Sequence, residues 1–156
     1  MKCDPAIVEA LNDVLTSELT AINQYYVHYK MCEDWGYKRL AAVKREESME
    51  EMRHADSLIE RILYFDAVPN MQRLNPVTVG EDVVEMHKVD LQLEYDNVER
   101  LNNAITLCMS LNDSGTRDLF AGILREEEEA VDYLEGQLGL IKDLGKERYL
   151  AEQMKE

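Results

Sequence analysis

Glu51-Met52-Arg53-His54 sets a carboxylate and an imidazole three residues apart, in a segment whose apolar residues recur at helical spacing. Steps of three or four residues give Leu40, Val43, Glu47, Glu51, His54, Leu58, Ile62 and Phe65, so both potential ligands fall on the inward stripe of a helix. An unpaired carboxylate is costly to bury, so such groups either hydrogen-bond heavily or share a cation. The same irregularity recurs in three other stripes. Glu18 interrupts Ile7, Leu11, Val14/Leu15, Ile22, Tyr25 and Tyr29; Glu94 interrupts Val84, His87, Leu91, Val98, Leu101, Ile105 and Cys108; Glu127 interrupts Phe120, Ile123/Leu124, Ala130/Val131, Leu134, Leu138 and Ile141. One such glutamate is more often bonded to a Tyr, an Arg or water than to a metal, and His54 alone is more often a hydrogen-bonded core histidine. Mid-helix positions of an antiparallel bundle, however, meet at one level. Four carboxylates that meet in a low-dielectric interior push one another towards protonation, and a pair of divalent cations removes the conflict. Carboxylate oxygen with imidazole nitrogen suits iron or manganese, and the lack of cysteine ligands argues against a thiolate zinc site.

The elements that must position these residues are helical throughout. Asp4-Pro5 is an N-cap followed by proline at the first helical position, and the periodic stripes predict helices over about 5–34, 37–65, 82–111, 116–143 and 146–153. Between the second and third, Asp66 to Asp82 carries Pro69, Pro76 and Gly80 without sustained periodicity. A connection of that length is uncommon in a compact domain unless it crosses the bundle. Asn112-Asp113-Ser114-Gly115 reads as a short turn between antiparallel neighbours. Alternating β-branched runs, internal repeats and a glycine-rich phosphate loop are absent. The fold class expected is all-α: an antiparallel four-helix bundle with one long mid-chain crossover and a short C-terminal helix, forming a single domain over residues 1–156.

A formal net charge of −15 and a pI near 4.6 disfavour nucleic acid and anionic membranes as partners and favour cations or basic surfaces. Cys3, Cys32 and Cys108 are odd in number and lack C-x-x-C spacing, as expected of free thiols in a reducing compartment. No stretch has the length and apolarity of a membrane span, and the N-terminus has no basic and apolar leader pattern. The expected location is the cytoplasm.

The motifs Leu19-Thr20-Ala21-Ile22-Asn23-Gln24-Tyr25-Tyr26, Trp35-Gly36, Glu50-Glu51-Met52-Arg53-His54-Ala55-Asp56, Ile59-Glu60-Arg61-Ile62-Leu63, Gly80-Glu81-Asp82-Val83 and Ile123-Leu124-Arg125-Glu126-Glu127-Glu128 resemble those of bacterioferritins over essentially the whole chain. The resemblance implies a ferritin-like bundle, a hollow shell of twenty-four subunits storing ferric mineral, a di-iron ferroxidase centre in each bundle, and haem b shared between two subunits. It implies Glu18, Glu51, His54, Glu94 and Glu127 as iron ligands, with Glu51 and Glu127 bridging, and Met52 as haem ligand. It further implies ferrous iron and dioxygen or peroxide as reactants, and a ferredoxin as partner for iron release. Met52, about 100° around the helix from Glu51, faces out of the bundle and suits a haem ligand or a subunit contact equally.

Departures from the family pattern accompany the match. Where a second Glu-x-x-His is expected the chain reads Glu127-Glu128-Glu129-Ala130, so the sixth ligand is missing. His87 lies about 10 Å along the helix from Glu94, and His28 farther still from Glu18, so neither replaces it; Glu129, rotated by roughly 200° from Glu127, faces solvent. Glu46 and Leu58 stand where histidine and tyrosine are common. Tyr25 is either an electron source and hydrogen-bond partner of the site or a core tyrosine. Glu47 is either an additional carboxylate towards the metal or a surface ion-pair partner. Glu46, Glu50 and the run Glu126 to Glu129 are candidates to line the cavity.

Three functions follow. The first is ferroxidase and iron storage, weakened by the missing imidazole. The second is a haem-bearing structural subunit in a mixed shell, a hetero-oligomer whose sibling chain supplies the complete centre. The third is a peroxide-reducing di-iron protein, disfavoured by the lack of an appended C-x-x-C iron module.

Overall fold

The computed structural model describes residues 1–156, folded as α1 (Pro5–Asp34), α2 (Lys38–Tyr64), α3 (Val83–Ser110), α4 (Ser114–Leu144) and α5 (Lys146–Gln153), with no strand. The N-termini of three helices are fixed by aspartates whose side chains accept from otherwise orphaned backbone N–H groups: Asp4 from Ala6, Asp82 from Glu85 and Asp113 from Thr116. Short connections make α1/α2 and α3/α4 antiparallel pairs, and α1 also packs on α3. The expected all-α bundle, with its crossover and short last helix, is the fold found. No helix is long and apolar enough to cross a membrane.

The crossover, residues 65–82, must travel the length of α2, about 40 Å for 27 residues. It does so along α1, which catches its backbone at regular intervals. Asn12 Oδ1 accepts from Asn70 N, Thr20 Oγ1 from Asn75 N, Gln24 Oε1 from Thr78 N, and His28 Nε2 from Gly80 N. The 20, 24 and 28 positions lie one turn apart on one face. Gly80 is required where the chain turns into α3, since a Cβ there would lie 2.4 Å from Met86 N.

The apolar core lies to one side of the bundle's middle. Ile7, Leu11, Leu15, Leu58, Ile62, Leu101 and Phe120 are among its fully buried members. Towards α5 a smaller apolar cluster, built on Cys32, Leu40, Val83, Met86 and Tyr149, adjoins a group of buried polar side chains. Lys44 Nζ lies 2.7 Å from Asp90 Oδ2, and both residues are at most 1% exposed. Asp90 also accepts from Gln24 and pairs with His28 Nδ1, while His87 bridges Lys44 and Tyr149, whose hydroxyl donates to Gln137. Every charged or polar member of this cluster has a partner. It joins α1, α2, α3, α4 and α5 with the crossover, and on α3 it lies one turn from Glu94. Despite its burial, Asp90 is held well below the usual carboxylate range by Lys44 and His28.

Removing one member of a buried pair leaves its partner charged and dry. Asp90→Asn should therefore lower stability by about 3–5 kcal/mol, which is roughly 10 °C in Tm for a chain of this size. Lys44→Met added to Asp90→Asn should recover much of the loss. Thermal unfolding followed by circular dichroism checks both, and a neutral Asp90→Asn would contradict the pairing.

Candidate metal centre

Each of the four long helices delivers one glutamate to the bundle's middle, and each does so from a closely packed turn. Glu18 on α1 lies between Leu15 and Ala21; Glu51 on α2 lies one turn after Ser48, whose hydroxyl donates to Ile22 O and locks α2 against α1. Glu94 on α3 is one turn past Asp90. Glu127 on α4 lies between Ile123 and Ala130. All four are at most 1% exposed.

His54 is the pivot. Its Nδ1 lies 3.1 Å from Glu127 Oε1, 3.4 Å from Glu18 Oε2 and 3.5 Å from Glu51 Oε2, and its Nε2 contacts Glu126 on the other side of the ring. Ligand atoms of Glu18, Glu51, His54 and Glu127 all lie within 4.8 Å of one another. Glu94 adjoins this group from α3, and Tyr25 donates to its Oε1 at 2.8 Å.

Protons partly compensate this concentration of charge. Burial and the Glu127 charge raise Glu18 to about 8. The same two causes hold Glu94 well above the usual carboxylate range, so it is protonated. Glu127 stays ionised: burial opposes its charge, but hydrogen bonds from Glu94 and His54 outweigh it. Burial likewise opposes a charge on His54, yet Glu127, Glu18 and Glu126 together raise its pKa to about 11, making it an imidazolium. Three carboxylate oxygens form no hydrogen bond: Glu18 Oε1, Glu51 Oε2 and, unless it carries the proton, Glu94 Oε2. Orphaned buried acceptors on three helices around one imidazole fit a cation with oxygen and nitrogen ligands.

Other residues singled out in the sequence fall as follows. Ala130 is buried one turn after Glu127 and brings no ligand. His87 and His28 belong to the Lys44–Asp90 cluster and take no part in the group around His54. Glu47 is half-buried, makes no ion pair, and is raised to about 7 by burial and by Glu127. Met52 is 50% exposed on the outside of α2, and Glu129 is exposed. Sequence reasoning placed Glu126 only among possible cavity acids, whereas it touches His54 and with Glu50 forms a second, outward group around that ring. It overlooked Asn97, which is buried with its amide nitrogen 3.5 Å from Glu127 Oε2. An amide one turn after Glu94 on α3 was the available signal.

The ferritin-like domain family model matches residues 8–144. The chain is 46% identical over 149 residues to the bacterioferritin of Brucella melitensis, covering 96% of this chain and 92% of that protein. It is 47% identical over 152 residues to the bacterioferritin of Mycolicibacterium paratuberculosis, covering 97% and 96%. The bacterioferritin of Streptomyces coelicolor is 45% identical over 151 residues, covering 97% and 90%.

A cation entering this site must displace protons, because Glu18 and His54, with pKa values raised to about 8 and about 11, hold theirs at pH 7. Raised pKa values extend protonation upward, so binding should weaken as pH falls from 8 to 6. Calorimetric titration with Mn²⁺ in two buffers of different ionisation enthalpy should show release of about one or more protons per ion. Binding without proton release would contradict this charge arrangement.

Proposed function

Because the chain belongs to the bacterioferritin family of ferritin-like proteins, we propose that it is an iron-storage subunit that oxidises ferrous iron inside its bundle and encloses the ferric mineral in a hollow shell. The observation that carries this reading is the convergence of Glu18, Glu51, His54 and Glu127, whose ligand atoms lie within 4.8 Å of one another, with buried Glu18 Oε1 and Glu51 Oε2 left without a hydrogen-bond partner. By that family membership, Glu51 and Glu127 would be shared by two ferrous ions, Glu18 and His54 would hold one of them, and Glu94 the other. Bound there, each ferrous ion supplies one electron towards the reduction of dioxygen or peroxide. Tyr25 anchors Glu94 through its hydroxyl and would be the phenol that gives up an electron. Glu47, one turn from Glu51 and without an ion-pair partner, would add a further carboxylate. The enclosing shell has twenty-four subunits in the cytoplasm, and a ferredoxin is the reductant for iron release.

The two halves of the site are unequal. One has the imidazole of His54; the other, with Ala130 in place of a histidine, has oxygen ligands alone. Imidazole loss weakens binding of the second ferrous ion and slows its oxidation, since ligand type sets both affinity and redox tuning.

A second reading is favoured by the half-exposed Met52 on the outer face of α2 together with that incomplete ligand set. Here the chain supplies the haem b ligand in a mixed shell, and a sibling chain carries the full ferroxidase centre.

Ala130→His should raise the initial rate of iron oxidation about tenfold or more, within the 10–100-fold range typical of lost ligand support. Equal rates would remove the ligand-loss argument. A purified homogeneous shell that oxidises iron rapidly would make the division of labour unnecessary, and Met52→Leu in that shell should abolish the haem Soret band while leaving iron oxidation intact.

A further inference from the structure

A cavity of about 450 Å³ lies where the crossover passes over α1 and α3, with Asp13 and Thr16 of α1, Gln72, Arg73 and Asn75 of the crossover and Arg100 of α3 in its wall. It holds two guanidiniums against one carboxylate, in a chain whose formal net charge is −15. The cavity beside His54 is the reverse, with Glu50, Asp118, Glu126 and Glu129 against Arg125. Arg100 is half-buried and forms no ion pair; its one hydrogen bond runs from Nη1 to Asn97 Oδ1 at 3.2 Å. A guanidinium carries five N–H donors, so most of those on Arg100 have no acceptor in the chain. Arg73 Nη2 meets Asp13 Oδ1 at 3.1 Å, but the two side chains are 48% and 46% exposed, and a surface pair of this kind is worth at most about 1 kcal/mol. Gln72 and Asn75 spend their backbone N–H groups on Asn70 and Thr20, while their side-chain amides bond to no group of the chain. Donors from the crossover and from α3 therefore line one space whose single charged acceptor is weakly committed. Asp96 and Glu99 line the adjoining α1/α3 groove and not this cavity, and solvent screens the more distant acids over about 8 Å.

We propose that this cavity is an oxyanion site that takes a phosphate group, free or as a monoester, between Arg100 and Arg73. A guanidinium fork matches the spacing of two phosphate oxygens. A phosphate dianion has oxygens enough to engage both forks and the amides of Gln72 and Asn75, and its charge equals that of the two arginines once Arg73 turns from Asp13. A carboxylate offers two oxygens and one charge, and leaves part of the donor set unused. Bound there, the phosphate would tie the crossover to α3, in addition to the hydrogen bonds that tie it to α1. The site shares no residue with the metal centre and does not depend on it.

The test is calorimetric titration of the full assembled protein, stripped of iron with reductant and chelator so that phosphate has no metal to bind. Inorganic phosphate and phenyl phosphate are titrated separately, with acetate for comparison. Saturable binding of both phosphates supports a site for the phosphate group in either form, and binding of inorganic phosphate alone supports a site for the free ion. Arg100→Gln and Arg73→Gln should each weaken binding about tenfold or more, as expected for loss of a charge-assisted hydrogen bond. Asp13→Asn, which removes the competing carboxylate, should tighten it roughly two- to fivefold. Phosphate should also slow amide hydrogen exchange over residues 72–75 in the wild type and leave it unchanged in Arg100→Gln. No saturable binding of either phosphate, wild-type affinity in both arginine variants, weaker binding in Asp13→Asn, or acetate bound as tightly as phosphate would overturn the proposal.

Discussion

The structure depends on the electrostatic conflict among Glu18, Glu51, Glu94 and Glu127, four carboxylates driven into one dry volume by the packing of four helices. Nothing in apolar packing requires them. Each interrupts a stripe that would be better packed with leucine, and their mutual repulsion in a low-dielectric interior favours protonation or neutralisation over four free charges. His54 shows how the protein responds. Its imidazolium makes contact with three of the acids through one nitrogen and with Glu126 through the other, despite a burial that on its own would strip its charge.

Positioning these groups requires more than four helices in parallel. The crossover has to be held along α1, and the residues that hold it, Thr20, Gln24 and His28, occupy the same helix face from one turn to the next. Gln24 and His28 also reach Asp90, so the crossover, α1 and α3 are tied at the level adjoining the glutamates. Ser48 performs the corresponding task between α2 and α1, one turn below Glu51. The ligand geometry therefore rests on hydrogen bonds that a sequence-level apolar pattern does not contain.

That distinction explains what could be read in advance. Glu18, Glu51, Glu94 and Glu127 were visible in the sequence because a charge inside an apolar stripe breaks the pattern. Lys44, Asp90 and Asn97 were not, because each stands beside an apolar residue, Val43, Leu91 and Val98, that satisfies the helical period equally well. Neighbouring residues differ by about 100° around a helix, so the pattern alone does not decide which of them turns inward. The structure buries the polar member in all three cases and leaves the apolar one half-exposed. His87 also falls on the apolar stripe, but its partners, Lys44 and Tyr149, lie on helices that a periodic pattern does not bring together.

The two buried polar clusters also bear on each other. Asp90 and Glu94 are one turn apart on α3 and equally inaccessible, yet their surroundings differ in kind. Asp90 receives Lys44, His28 and Gln24, so its charge is balanced and its oxygens are satisfied. Glu94 receives one phenol and faces another acid, and it is held neutral by that company. The same four helices thus satisfy a buried carboxylate fully where stability is the only demand. The acids around His54 outnumber their donors a few ångströms away, although the chain had the means to balance them. An arrangement that leaves acceptors open beside a titratable imidazole costs stability in the absence of a cation and recovers it when one binds. The excess of acceptors over donors around His54 is therefore the structural feature that suits this bundle to hold a cation.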